Sequence, residues 1–260
     1  MPIIKPERAT DIDALIKMTH INDPDDLARF RELAGEAEAR IGAAVYAKRV
    51  VRAIDGDDVT IGGNEDAASE GAVSHANNNG DAAGQGDEYS VTFTARPLSR
   101  LFGEGMEVYP YVATCGTEMA EYGKTLTDPL ENYWWDTIMQ GAVMHARAAL
   151  VKAITESAGY EPTSANPGSL EMWPISNQPA LFSLIGDVKG MVGVTTAPSF
   201  LMIPLKSVSG IFFPGGGGAG GVAGSADFTH NCCLCARENC PGRRAPFDAK
   251  LKAQLEGDRA

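Results

Sequence analysis

The sequence predicts an α+β protein. Two amphipathic helical patterns, one of them about 30 residues long, alternate with short runs of β-branched and aromatic residues. The composition is that of a packed domain: 260 residues, 44% hydrophobic and 22% charged. That is enough for one large core or two small ones, and it excludes overall disorder, a collagen-like fibre and a disulfide-stapled miniprotein. No apolar stretch approaches the roughly 20 residues a membrane helix needs. Residues 1–20 lack the apolar core of a signal peptide. The expected setting is the cytoplasm, with no membrane partner.

The first 53 residues read as mainly helical. Asp23-Pro24 supplies an N-cap followed by a first-turn proline. Leu27, Phe30, Ala34, Ala37, Ile41, Ala44 and Val45 then continue one apolar stripe at three- and four-residue spacing. Residues 50–54 and 58–61 read as strands. Residues 62–86 are a Gly/Asn/Ala/Asp mixture with almost no large apolar side chain, which cannot offset its own ordering entropy. They read as an enlarged mobile loop, after which 89–95 and 106–114 are strands. Asp128-Pro129-Leu130-Glu131 has the residues of a capping box. Trp134, Ile138, Ala142, His145, Ala149 and Ile154 carry the stripe of a long helix until Gly159. Residues 176–185 read as a short helix, and 192–196 and 207–213 as strands.

Net charge is −12, which argues against a nucleic-acid surface, because phosphates require clustered Lys and Arg. Nine acidic residues and no Lys or Arg fall within residues 55–90, so the acidity belongs mostly to one loop. Residues 215–226 hold seven glycines, with a formal G-x-G-x-x-G at Gly216, Gly218 and Gly221. No helical stripe follows, nor an acidic residue at dinucleotide-site distance. The segment reads as a linker to a cysteine-rich tail, residues 227–260.

Four of the five cysteines, Cys232, Cys233, Cys235 and Cys240, lie within nine residues. Neighbours this close make poor disulfide partners, and C-x2-C-x4-C through Cys232, Cys235 and Cys240 lets thiolates converge on one centre. An iron–sulfur cluster comes first, supported by Pro241 after the last cysteine; zinc, with Cys233, His230 or Cys115 as fourth ligand, and uncomplexed thiols are the alternatives. Cys115, elsewhere, reads as a small buried hydrophobe, and His145 as a core histidine. No nucleophile elbow, Walker loop or zinc-protease helix is present, and no catalytic residue stands out.

Two stretches carry a more specific signal: Asn166-Pro167-Gly168-Ser169 followed by Trp173-Pro174-Ile175 and Gln178, and residues 192–213, which contain M-x-P-x-x-S-V-S-G from Met202 to Gly210. Together they resemble the activation domain of vitamin B12-dependent methionine synthase, in particular free-standing bacterial members of that family. The resemblance covers residues 1–214. It implies a C-shaped single α+β domain with a twisted antiparallel sheet and flanking helices. It also implies binding of S-adenosylmethionine (AdoMet) and reductive methylation of cob(II)alamin, with an electron donor such as flavodoxin or ferredoxin. Pro167, Gly168, Ser207, Ser209 and Gly210 are the positions that carry over to the AdoMet site.

The resemblance also exposes departures. The family's carboxylate-anchoring arginine corresponds to Ser164, its tyrosine after the glycine to Ser169, and its helix glutamate to Ala149 or Ala153. Loss of such a clamp forfeits a charge-assisted contact worth about 1.5–3 kcal/mol. The D-x-H-x-x-G corrinoid signature is absent from these residues. The expectation is therefore an activator acting in trans on a corrinoid methyltransferase, with a methionine synthase as leading partner. The alternatives are an iron–sulfur docking module that does not bind AdoMet, and a zinc-knuckle binding protein.

Overall fold

A computed structural model describes residues 1–63, 73–75, 90–214, 231–239, 243 and 245–256. In chain order the elements are β1 (Ile3–Ile4), α1 (Ile12–Thr19), α2 (Pro24–Glu38), β2 (Ala43–Tyr46), β3 (Arg49–Asp55), β4 (Asp58–Gly62), β5 (Val73–His75) and β6 (Ser90–Thr94). They continue with α3 (Arg96–Leu101), β7 (Glu107–Thr114), α4 (Thr117–Gly123), α5 (Pro129–Ala158), β8 (Pro162–Ala165), α6 (Gln178–Ile185) and α7 (Val188–Val192). The last are β9 (Thr195–Thr196), β10 (Met202–Ile203), β11 (Ser207–Pro214) and α8 (Ala249–Glu256). The α+β class holds. No helix among the described residues is long and apolar enough to cross a membrane.

The chain divides into two compact units. Unit 1 comprises Met1–Val45, Val112–Ala153 and Val188–Val208; unit 2 comprises Tyr46–Tyr111, Ile154–Asp187 and Ser209–Ala260. Each has its own apolar core.

Unit 1 is mainly helical. Asp23 caps α2 by accepting from the backbone N–H groups of Asp25 and Asp26, with Pro24 opening the helix. Asp128 does the same for α5, accepting from Leu130 at 2.7 Å and Glu131 at 3.1 Å. The Glu131 side chain is engaged by Arg29 rather than turned back to the cap. Phe30, Leu33, Ala34 and Ala37 of α2 share a core with Trp134, Trp135, Ile138 and Ala142 of α5. Phe30 meets Trp134 edge to face, with centroids 6.1 Å apart. Trp135 buries its indole, and its N–H donates to the Met119 carbonyl at 2.9 Å. The helical stripe expected to run through Val45 stops at Glu38, and Ala43–Tyr46 is strand, with β1 paired antiparallel to it. Gly42 accounts for the change. A Cβ there would stand 2.3 Å from the Thr114 carbonyl oxygen, so the chain lies flat against β7.

Unit 2 is built on strands. β3 pairs antiparallel with β4 and β7, and β4 with β6; β8 pairs antiparallel with β11. β5 pairs with β6 in parallel, the one departure from the antiparallel expectation among these pairings. Apart from Val73–His75, most of the acidic loop falls outside the described residues, as does the glycine-rich segment 215–226. Val51, Val59, Ile61, Val91 and Phe93 send alternate side chains inward. Leu181 and Leu184 of α6 and Leu251 and Leu255 of α8 pack against them. Residues 192–196, expected to be strand, are strand only at Thr195–Thr196, because Val188–Val192 is helical and Gly193 follows it at φ +72°.

Candidate functional site

Residues 166–169 form a tight turn. The Ser169 N–H donates to the Asn166 carbonyl at 3.1 Å, closing a four-residue loop with Pro167 second and Gly168 third, at φ +78°. Proline presets the φ of the second position and glycine accepts a positive φ at the third, the chemistry of a type II turn. The Gly168 N–H donates to the Trp173 carbonyl at 2.8 Å, and the Trp173 N–H to the Leu170 carbonyl at 3.1 Å. Pro167 is buried, whereas Gly168 and Ser169 are exposed. Both turn amides are therefore used within the protein.

Below this turn lies a neutral hydrogen-bonded cluster. The Asn166 carboxamide donates to the Tyr111 hydroxyl at 3.0 Å and to the main-chain carbonyl of Ser209. The Ser209 hydroxyl donates to the buried Gln178 side chain at 2.8 Å. Ser164 is buried on β8 and its hydroxyl faces Asn166 Oδ1 at 3.4 Å. Gly210 is held to glycine by this arrangement, since a Cβ there would lie 2.4 Å from both the Ala165 carbonyl oxygen and Asn166 Nδ2. Tyr111 and Phe212 stack with centroids 4.1 Å apart. Pro167, Gly168, Ser209 and Gly210 are thus brought together in unit 2. Asn166, Tyr111 and Gln178 organise them.

Ser207 lies in unit 1 and has a different role. Its hydroxyl donates to the Pro204 carbonyl at 2.8 Å and lies 2.8 Å from the Thr114 hydroxyl, from which it can accept, tying the P-x-x-S stretch to the end of β7. The Cys115 N–H donates to the Lys206 carbonyl at 3.0 Å, and Lys206 pairs with Asp136 at 2.9 Å. Around buried Pro204, Leu201, Ile203 and Leu205 are exposed. Cys115 itself is fully buried, and that burial pushes its thiol up to about 12.

In the tail, Asn231–Leu234 forms one 3-10 turn. Cys233 is buried with Leu234, Leu251 and Leu255, while Cys232 is half-buried and Cys235 exposed. Cys240 lies outside the described residues, as does His230. None of the described cysteines forms a disulfide. Among the described residues no three His, Cys, Asp or Glu side chains are grouped to hold a metal ion.

Buried phenols form a further cluster in unit 2. Tyr109 donates to Glu107, which is also paired with Lys48. Burial first, and then the bond to Glu107, raise the Tyr109 hydroxyl well above the ordinary phenol range. Tyr160 is raised as well, again chiefly by burial.

The strands, helices and turn describe a mixed α+β reactivation-type fold. Among the solved structures it resembles is a crystal structure of the MetH reactivation domain bound to AdoHcy, with a TM-score of 0.57 and 13% sequence identity. The alignment covers 82% of this chain and 77% of that one. No family model matches the sequence, and no curated protein does. What is established is therefore the fold of the methionine synthase reactivation domain.

Proposed function

We propose that this chain serves the reductive reactivation of a cobalamin-dependent methyltransferase, acting in trans and in the cytoplasm, with a methionine synthase as its partner. The observation that carries this reading is the fold it shares with the MetH reactivation domain, whose crystal structure holds AdoHcy. On this reading AdoMet is the methyl donor, cob(II)alamin on the partner is the substrate, and a flavodoxin or ferredoxin supplies the electron. This chain's task is to hold AdoMet in line with the acceptor and to keep water out.

The residues here fit AdoMet in part. The Pro167-Gly168 turn presents backbone without an intervening side chain, and Gly168 and Ser169 are exposed. A guanidinium for the ligand carboxylate is missing where the family has one. Ser164 is buried in the neutral Asn166 cluster, and the two turn amides are already bonded. The expected affinity is about ten- to hundredfold below that of a clamp-bearing site. The same observation favours a second reading, in which the fold docks on a corrinoid protein without binding AdoMet.

The test uses a methionine synthase that lacks its own reactivation domain, held in the cob(II)alamin state with reduced flavodoxin. Addition of this chain and AdoMet should convert the absorption spectrum to that of methylcobalamin. No conversion beyond that of AdoMet and reductant alone would overturn the reading. Stimulation without AdoMet would select the docking role.

A further inference from the structure

The tail turn brings two of the clustered cysteines close together. The Cys235 N–H donates to the Cys232 carbonyl at 3.2 Å. A bond from residue i+3 back to residue i brings the two Cα atoms within about 7 Å, overlapping the usual disulfide range of about 4.4–6.8 Å, so the poor pairing expected from sequence proximity applies to adjacent Cys232 and Cys233 but not to Cys232 and Cys235. Between them, Cys233 is 6% exposed and seated in the unit 2 core, and its carbonyl accepts from the Asp248 N–H at 2.8 Å. The turn is thus pinned from below by one cysteine while its two neighbours are left nearer solvent.

Arg243 holds the same turn from the side. Its guanidinium donates to the carbonyls of Cys232 and Ala245, both at 3.2 Å, to that of Cys235 at 3.1 Å, and to that of Arg237. One cation therefore gathers the loop's main-chain oxygens and keeps the ends of C-x2-C in register. A preorganised turn lowers the entropy that closing a small ring would otherwise cost.

We propose that Cys232 and Cys235 are a dithiol–disulfide pair that exchanges two electrons with small-molecule disulfides and dithiols, and that Cys233 is its inert anchor. The Cys235 thiolate, the more exposed of the two, attacks one sulfur of oxidised glutathione and releases one glutathione thiol. The Cys232 thiolate then attacks Cys235 Sγ, closing the intramolecular disulfide and releasing the second glutathione. The two protons of the dithiol end on the two glutathiones, and the protein loses two electrons. This site is independent of the reactivation reading and stands or falls separately.

The experiment equilibrates the full chain, purified and reduced, with oxidised glutathione, followed by intact mass and peptide mapping. The expected result is one disulfide per chain, mapped between Cys232 and Cys235 and reversed by dithiothreitol. Cys233→Ala and Cys240→Ser should still close it. Cys232→Ser combined with Cys240→Ser should stop at a glutathione adduct on Cys235, since the one other tail thiol, Cys233, is buried. Three results would overturn the proposal: wild-type chain retaining every thiol, a mapped bond that requires Cys240, or a stoichiometric zinc or iron–sulfur centre that shields Cys232 and Cys235 from oxidation.

Discussion

The carboxamide of Asn166 occupies the space that a side chain at position 210 would need. The contact joins the Pro167-Gly168 turn to β11 through a bond to the Ser209 carbonyl, and a second bond reaches Tyr111. Gly210→Ala places a carbon 2.4 Å from the Ala165 backbone oxygen, which cannot move as a side chain can. The expected loss is about 1–3 kcal/mol of stability. Asn166→Ala should cost about 1–2 kcal/mol by removing its bonds to Tyr111 and to the Ser209 carbonyl. Urea denaturation measures both. Because the residues are in contact, the double variant should lose less than the sum.

Gly168→Ala forces a side chain into φ +78° and puts its Cβ 3.2 Å from Ile175 Cβ. The expected cost is about 1–2 kcal/mol, and on the proposed reading AdoMet affinity should fall as well, because the turn must shift to relieve the contact with Ile175. A Gly168→Ala protein that keeps both its melting temperature and its AdoMet affinity would show that the turn is not used as described.

Thr10 is 1% exposed, and its hydroxyl has no hydrogen-bond partner among the described residues. It sits against α5 where Gly141 makes room, since a Cβ at 141 would be 2.2 Å from Thr10 Oγ1. Thr10→Val keeps the shape and removes the unpaired group, so a gain of about 1 kcal/mol is expected. Gly141→Ala should destabilise by a similar or larger amount. Thermal unfolding of the two variants gives opposite signs if the packing is as described.

Cys115 carries a pH dependence whose sign is fixed by burial. The folded thiol stays protonated up to about 12, whereas the unfolded thiol ionises near its ordinary 9.0. Between those values the folded state binds more protons, so this contribution is complete below about pH 9 and is lost as pH rises toward 12. Each pH unit in that window removes up to about 1.4 kcal/mol. Cys115→Ala should flatten the alkaline limb of the stability curve relative to wild type. An unchanged limb would place the thiol in contact with solvent.

How far the sequence could be read follows from the range of each interaction. Asp128-Pro129-Leu130-Glu131 announces α5 because a cap is a local bond, two and three residues long. The Pro-Gly turn is legible for the same reason. The end of α2 is not, because Gly42 answers to Thr114, which is distant in sequence. Asn166 stands in the recognised N-P-G-S run, yet its role depends on Tyr111 and Ser209, 55 and 43 residues away. Ser207 and Ser209 look equivalent in S-V-S-G, but they lie in different units with unrelated partners. The Cys233 anchor was equally hidden, since its neighbours Leu251 and Leu255 come from a helix with no distinctive pattern.

Calorimetric titration of the full chain with AdoMet, alongside its Gly168→Ala variant, tests the reactivation account most directly. The account predicts saturable one-to-one binding, weaker than micromolar because of Ser164, and weaker again in the variant. No heat up to millimolar AdoMet, or binding indifferent to Gly168→Ala, would contradict it.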